Sequence, residues 1–311
     1  MTGGPRTPGA ATGVRAPSVA GEFYPAAPER LASMVEELFA ETRWLPGDAA
    51  RLSPARPTGL LVPHAGLVYS GVVAAAGWAR LGSRTSVPGH DTRPPIVVIL
   101  GTNHGAGWLE GVAASSAAAW WTPCGEVAVD EELGAAIVAL GPPFSIDDDA
   151  HDREHSIEVQ LPLLQEVAPG ASIVPLAVSA GIGHPAIAAG QRLGELLARR
   201  RSDGTPIVLA ISSDMAHYPP AEACEEVTEA LWPPIRTLDA VGLASREIAL
   251  RGARIPELVC GMCGIQPAVL GLAALRAMGA TVGVRIAAST SADADGPRDR
   301  TVGYLAAAFT P

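Results

Sequence analysis

Four unevenly spaced cysteines in 311 residues are too few and too scattered for a disulfide framework. A reducing, cytoplasmic setting is expected. No apolar run approaches the roughly 18 residues that a membrane helix needs. The opening stretch, MTGGPRTPGAATGVRAP, lacks the apolar core of a secretory leader. It reads as a flexible tail over residues 1–14. Basic blocks are missing too. The formal net charge is −10, and the only arginine cluster, Arg199 to Arg201, closes an apparent helix, where cations favour the macrodipole. Neither nucleic acid nor a membrane surface is an expected partner. There is no internal repeat, and no linker long enough to divide the chain.

With 48% hydrophobic residues against 17% charged, the chain can bury a sizeable core. Apolar, β-branched segments recur at 58–63, 95–100, 171–179 and 206–213, with later ones at 282–290 and 302–309. Near-continuous apolar strands are buried on both faces, as in a parallel sheet. Helical patterns lie between them: PERLASMVEELFAET, SIEVQLPLLQEVA, HPAIAAGQRLGELLARR and GIQPAVLGLAALRAMG. The stretch from Trp120 to Leu140 fits a short hairpin followed by a helix. The alternation predicts a single α/β domain over residues 15–311, with a central, mostly parallel sheet flanked by helices.

Open α/β sheets bind ligands beyond the carboxyl ends of their strands. The first strand discharges into VPHAGLVYSG, delivering His64, and the second into GTNHG, delivering His104. The strand at 206–213 ends in SSDMAHY, delivering Asp214 and His217. Each Gly-His pair alone is ordinary turn chemistry. Three imidazoles at equivalent strand ends instead point to a site, and neutral imidazoles on rigid strand ends suit divalent transition metals. Asp214 and His217 are three apart. If their loop opens a helical turn, both share one face, and the carboxylate orients the imidazole for proton transfer.

Cys260 and Cys263 stand in VCGMCGIQP, at the start of an apparent helix whose N-terminus favours thiolate. They fit a redox pair, half of a zinc site, or one ligand beside a buried small hydrophobe. The segment HDREH matches the H-x-x-E-H pattern of inverse zinc proteases through His151, Glu154 and His155. It follows an acidic run and lies ahead of the apolar periodicity. A loop is expected there, with a helix starting near Ser156 and capped by Ser-Ile-Glu. His155 and Glu158 remain candidates to support the site or face a substrate. Tyr69, Trp108, Trp120 and Trp121 could line a pocket, or simply pack.

In order, GEFYP, VPHAGLVYSG, ILGTNHG, DREHSIEVQLPLL, ISSDMAHY, MCGIQPAVL and VGYLAAAF resemble the Memo family, over roughly Arg15 to Phe309. The resemblance implies a fold like that of class III extradiol dioxygenases, which hold non-haem Fe(II). Carried over by position, it implies metal ligands at His64, His104 and Cys263, the last because CGIQP matches the family's Cys-Gly-x-x-Pro. It implies that Asp214 and His217 line the same pocket as catalytic residues, with His217 in the place of the ring-cleaving enzymes' acid/base histidine. In the ring-cleaving enzymes a carboxylate stands where Cys263 does; the softer thiolate favours copper(I) or redox roles more than a carboxylate would. The expected activity is O2-dependent oxidation with Fe(II), with copper or zinc as alternative ions. The alternatives in function are a non-catalytic metal-binding module that accepts a peptide or small molecule, and a zinc hydrolase.

Overall fold

A computed structural model describes residues 13–44, 56–82 and 93–311. The expected tail lies outside the described residues as far as residue 12. Val14, counted with the tail, instead pairs with Ala119: β1 (Val14–Arg15) runs parallel to β5 (Ala119–Thr122), which forms the expected hairpin with β6 (Gly125–Ala128).

The main sheet forms where the apolar runs are longest. Its inner strands β2 (Gly59–Val62), β9 (Ile207–Ser212), β3 (Ile96–Thr102) and β8 (Ser172–Ser179) are adjacent in that order and parallel. Period-two alternation sends their side chains to two separate cores. Leu61, Val98, Leu100, Leu209, Ile211 and Leu176 pack on one face. Leu60, Val62, Val97, Ile99, Val208 and Ala210 pack on the other. Helices cover both: α1 (Pro28–Glu41), α2 (Leu67–Gly82) and α4 (Leu161–Val167) on one side, α5 (His184–Ser202) and α8 (Ile265–Ala277) on the other. Burial on both faces is why these strands read as continuous apolar runs.

The flanks depart from parallel order. The late strands β10 (Val282–Thr290) and β11 (Gly303–Thr310) pair antiparallel to each other, and β11 closes antiparallel onto β2. Residues 291–302 join them through a single 3-10 turn, Ser291–Ala294, with no crossover helix. At the other edge β4 (Gly111–Ala114) runs antiparallel to β8 and parallel to β7 (Phe144–Ile146). The remaining helices are α3 (Glu131–Val138), α6 (Ala221–Arg236) and α7 (Ala240–Gly252).

No helix caps at Ser156. A single 3-10 turn, Glu158–Gln160, leads into α4 without a side-chain cap. The Ser156 hydroxyl is committed to the Thr102 carbonyl at the end of β3 (3.1 Å). That contact needs Gly101: a Cβ there would lie 2.5 Å from Ile157 Cγ1 and 2.7 Å from Ser156 Oγ. The bare backbone lets the segment 151–158 settle against the strand end.

Candidate metal centre

The C-terminal ends of β2, β3 and β9 meet as parallel strands must, and the loop before α8 joins them. His64 is buried, and its amide donates to Asp214 Oδ1 (2.7 Å). Its ring tautomer follows from the hydrogen bonds around it. Ser212 Oγ donates to the Ser156 carbonyl (2.6 Å), so it can only accept from His64 Nδ1–H (3.0 Å). The Nε2 lone pair is left facing Cys263 Sγ at 3.2 Å. Burial, reinforced by the imidazoles of His104, His155 and His217, holds the His64 pKa well below its ordinary range, which keeps it neutral.

His104 is held differently. Glu154 accepts from its ring Nδ1 (2.9 Å) and its backbone amide (2.8 Å), and from the Ser156 amide (2.7 Å). Burial opposes ionisation of Glu154, but the His104 hydrogen bond and neighbouring positive charge outweigh it and bring the carboxyl down to about 2. A carboxylate on Nδ1 fixes the proton there and turns Nε2 outward. His155 stacks on His104, with ring centroids 4.3 Å apart, and stands edge-on to His64 at 5.5 Å. Phe23 covers its other side at 4.5 Å. Burial first, then the charge of His104, lowers His155 to about 4.

His64, His104 and Cys263 bring one ligand atom each to within 4.8 Å of one another, and two further groups overlap them: His104 with Glu154 and His155, and Cys263 with Asp214 and His217. Donors about 2.0–2.3 Å from a shared ion lie roughly 3–4 Å apart, so the 3.2 Å between Nε2 and Sγ fits a pair of ligands to one ion. Burial, then Asp214, holds the Cys263 thiol well above its ordinary range, against the thiolate character expected from its place ahead of α8. An ion here must displace that proton.

The family assignment rests on comparison with known proteins. The Memo-like protein family matches residues 15–308. The MEMO1 family protein MK0963 of Methanopyrus kandleri is 35% identical over 298 residues, covering 95% of this chain and 98% of its own. The chain belongs to the Memo-like family. A MEMO1 family protein of Aquifex aeolicus is 34% identical over 297 residues, covering 95% and 99%. The crystal structure of an uncharacterized protein from Escherichia coli K12 is also similar, with TM-score 0.48 and 18% identity, covering 81% of this chain and 99% of that one.

Within this Memo-like chain, the expected cluster of His64, His104, Cys263, Asp214 and His217 does assemble, and His155 joins it. Two expectations are corrected. First, Asp214 does not orient His217. Its Oδ1 accepts from the His64 and Ala65 amides (2.7 and 3.2 Å), while His217 Nδ1 donates to the Met215 carbonyl (2.9 Å). The loop opens no helical turn: Met215 bonds to β11, the His217 amide bonds to the Cys260 carbonyl, and Pro219-Pro220 follow.

Second, Glu158 turns away from the pocket. It is fully buried against the N-terminal segment, accepting from Arg15 (2.7 Å), Tyr24 O–H (2.6 Å) and the amides of Ser18 and Val19. The H-x-x-E-H match forms no ligand set, in line with the loop expected there. His151 is buried beneath Trp120, with its Nε2 on the Ala113 carbonyl (3.0 Å). Trp120 is therefore core. Trp108 is exposed and bonds to Asp147, Trp121 is exposed, and Tyr69 is exposed in a groove with Ser289 and Thr290.

Sequence reasoning missed Glu154 as the partner of His104, and Ser212 and Gln160 as the pair that set His64. Gln160 Nε2 donates to Ser212 Oγ at 3.0 Å. Glu154 could have been found from its place beside His155, once the segment was read as leaning on the second strand end. Ser212 and Gln160 carry no such signal.

Proposed function

We propose that this Memo-like chain binds Fe(II) on His64, His104 and Cys263 and uses it in the O2-dependent oxidation of a small chelating substrate. The observation that carries the reading is the fixed tautomers: acceptors on Nδ1 of His64 and His104 leave both Nε2 lone pairs free, one of them 3.2 Å from a thiol. Bound Fe(II) supplies Lewis acidity and one-electron chemistry toward O2. His64, His104 and Cys263 orient the donors. His217, with its Nδ1 proton held by a carbonyl, offers a basic Nε2 to take a proton from substrate. Asp214 is buried, and burial raises its pKa; it fixes the backbone that carries His64.

The thiol in the donor set favours one second reading, a copper(I)-retaining module without turnover. Anaerobic purification with elemental analysis, followed by O2 consumption with a panel of catechols, separates the two. Iron with O2 uptake supports the enzyme, and tight copper without uptake supports the module. In the enzyme, His217→Ala keeps the metal and slows turnover by about 10²–10⁴-fold. An unchanged rate with a lowered melting temperature removes His217 from the chemistry.

A further inference from the structure

The loop between α7 and α8 carries Cys260-Gly-Met-Cys263, and only Cys263 belongs to the metal-competent group of His64 and His104. The carboxylate packed behind this loop has no assigned task. Glu247 of α7 is buried, at 2% exposure. Its Oε1 accepts from the Gly261 amide (3.2 Å) and lies 3.5 Å from Arg251 Nε, while Oε2 is buried with no hydrogen-bond partner. That bare oxygen sits where a side chain of residue 261 would be: a Cβ on Gly261 would lie 2.5 Å from it. The glycine therefore lets the peptide between the two cysteines rest on an unsatisfied carboxylate. Such an oxygen is costly to bury unless it has work to do.

We propose that Cys260 and Cys263 form a reversible disulfide, with Glu247 as proton acceptor for Cys260, and that this bond withdraws Cys263 from the metal centre. The consequence for metal rests on the ligand set proposed above; the disulfide does not. The oxidant is a low-molecular-weight disulfide. Cys263 Sγ, which faces the pocket, attacks one of its sulfurs; the S–S bond breaks, and the first small thiol departs with the Cys263 proton. Cys260 Sγ then attacks Cys263 Sγ in the mixed disulfide. Glu247 takes the Cys260 proton and passes it to the second departing thiol. Two protein thiols lose two electrons and two protons, and one small disulfide becomes two thiols.

The surroundings agree with these roles. Burial first, then the charge of Glu247, pushes Cys260 up to about 12, so the attacking thiol needs a base beside it. Burial likewise raises Glu247 above the ordinary carboxyl range, giving it a proton affinity nearer that of a thiol. Cys124 and Cys224 do not compete. One is exposed on the β5–β6 turn, and the other is buried within α6.

The test equilibrates the full chain in glutathione buffers graded from fully oxidised to fully reduced, then alkylates free thiols and maps the peptides. Co(II) is the metal probe, read by its thiolate charge-transfer band. The expected result is a Cys260–Cys263 link, loss of the Co(II) band in parallel, and recovery of both with dithiothreitol. Cys260→Ser should keep the band and show no reversible loss. Glu247→Gln should leave the midpoint in place and slow closure about a hundredfold at neutral pH, with the difference shrinking as pH rises. Glu247→Asp should restore part of the rate.

Reduced protein that binds Co(II) but never links these cysteines overturns the inference and leaves the metal reading intact. A link that forms in protein unable to bind Co(II) sinks the metal reading instead. A Glu247→Gln rate equal to wild type removes the carboxylate from the step.

Discussion

Residues 151–158 present two faces built from the same two residue types. On one, Glu154 and His155 face the metal-competent cluster. On the other, His151 and Glu158 face the N-terminal segment, where Arg15 bonds to the His151 carbonyl (2.8 Å) and to Glu158 (2.7 Å). Both glutamates are buried, and in both, nearby donors and charge outweigh burial and hold the carboxyl below its ordinary range. They differ in what their partners have left to give. Arg15, Ser18 and Tyr24 converge on Glu158 and hold the segment in place. The His104 ring donates one bond from Nδ1 and keeps a second nitrogen for something else. A buried carboxylate is thus a lock or a lever according to the free valence of its partner.

The strongest way to break the comparison is to remove the proposed donors that the first face meets. His64→Ala with His104→Ala should abolish stoichiometric Co(II) or Fe(II) binding and leave circular dichroism near wild type. Retained metal would show that the second nitrogens are not donors.

Next in size is the lock. Glu158→Ala strands Arg15, whose side chain is only 7% exposed. It should cost about 3–5 kcal/mol of stability in urea unfolding, with metal bound per folded chain unchanged. If metal is lost in step with folding yield but not beyond it, the two faces are independent.

The lever should respond the other way. Glu154→Gln keeps the shape but weakens the acceptor on His104, so metal affinity should fall about 10–100-fold while the unfolding midpoint moves less than for Glu158→Ala. A midpoint shift as large as that of Glu158→Ala would erase the distinction.

A further effect is one of pH. Burial brings His151 from an ordinary 6.5 down to about 4, so between those values the unfolded chain binds a proton that the folded chain refuses. Stability should therefore fall as pH drops from about 6.5 to 4, by up to roughly 3 kcal/mol from this residue, and level off below. His151→Asn should make that slope shallower in denaturation series across the window, leaving the share of His64 and His155, which burial depresses in the same direction. Over the same range Glu154 adds little, since its depressed carboxyl loses stability mainly between 4.5 and about 2.

Much of this was legible in the sequence where cause and effect are local. The inner strands announced themselves because both their faces are buried, and a polar turn after each pointed to His64, His104 and Asp214. The ladder between His104 and Glu154 spans 50 residues, and the lock between Arg15 and Glu158 spans 143. No periodicity reports such pairings. His217 was placed correctly but given the wrong partner, because its acceptor is the main-chain carbonyl of Met215 and not a side chain. The two late strands read as apolar runs like the others, and nothing in their composition signals that they close antiparallel.

The missing side chain at Gly101 has one more consequence. His104 follows it by three residues, and the segment resting on it carries Glu154 and His155 just before Ser156 and Ile157. The thickness of that contact acts as a spacer between donors on two parts of the chain. A single added methyl would wedge them apart, where a productive donor set tolerates only about 0.5 Å. The spacing of these donors is therefore gauged at a position that is not itself a donor.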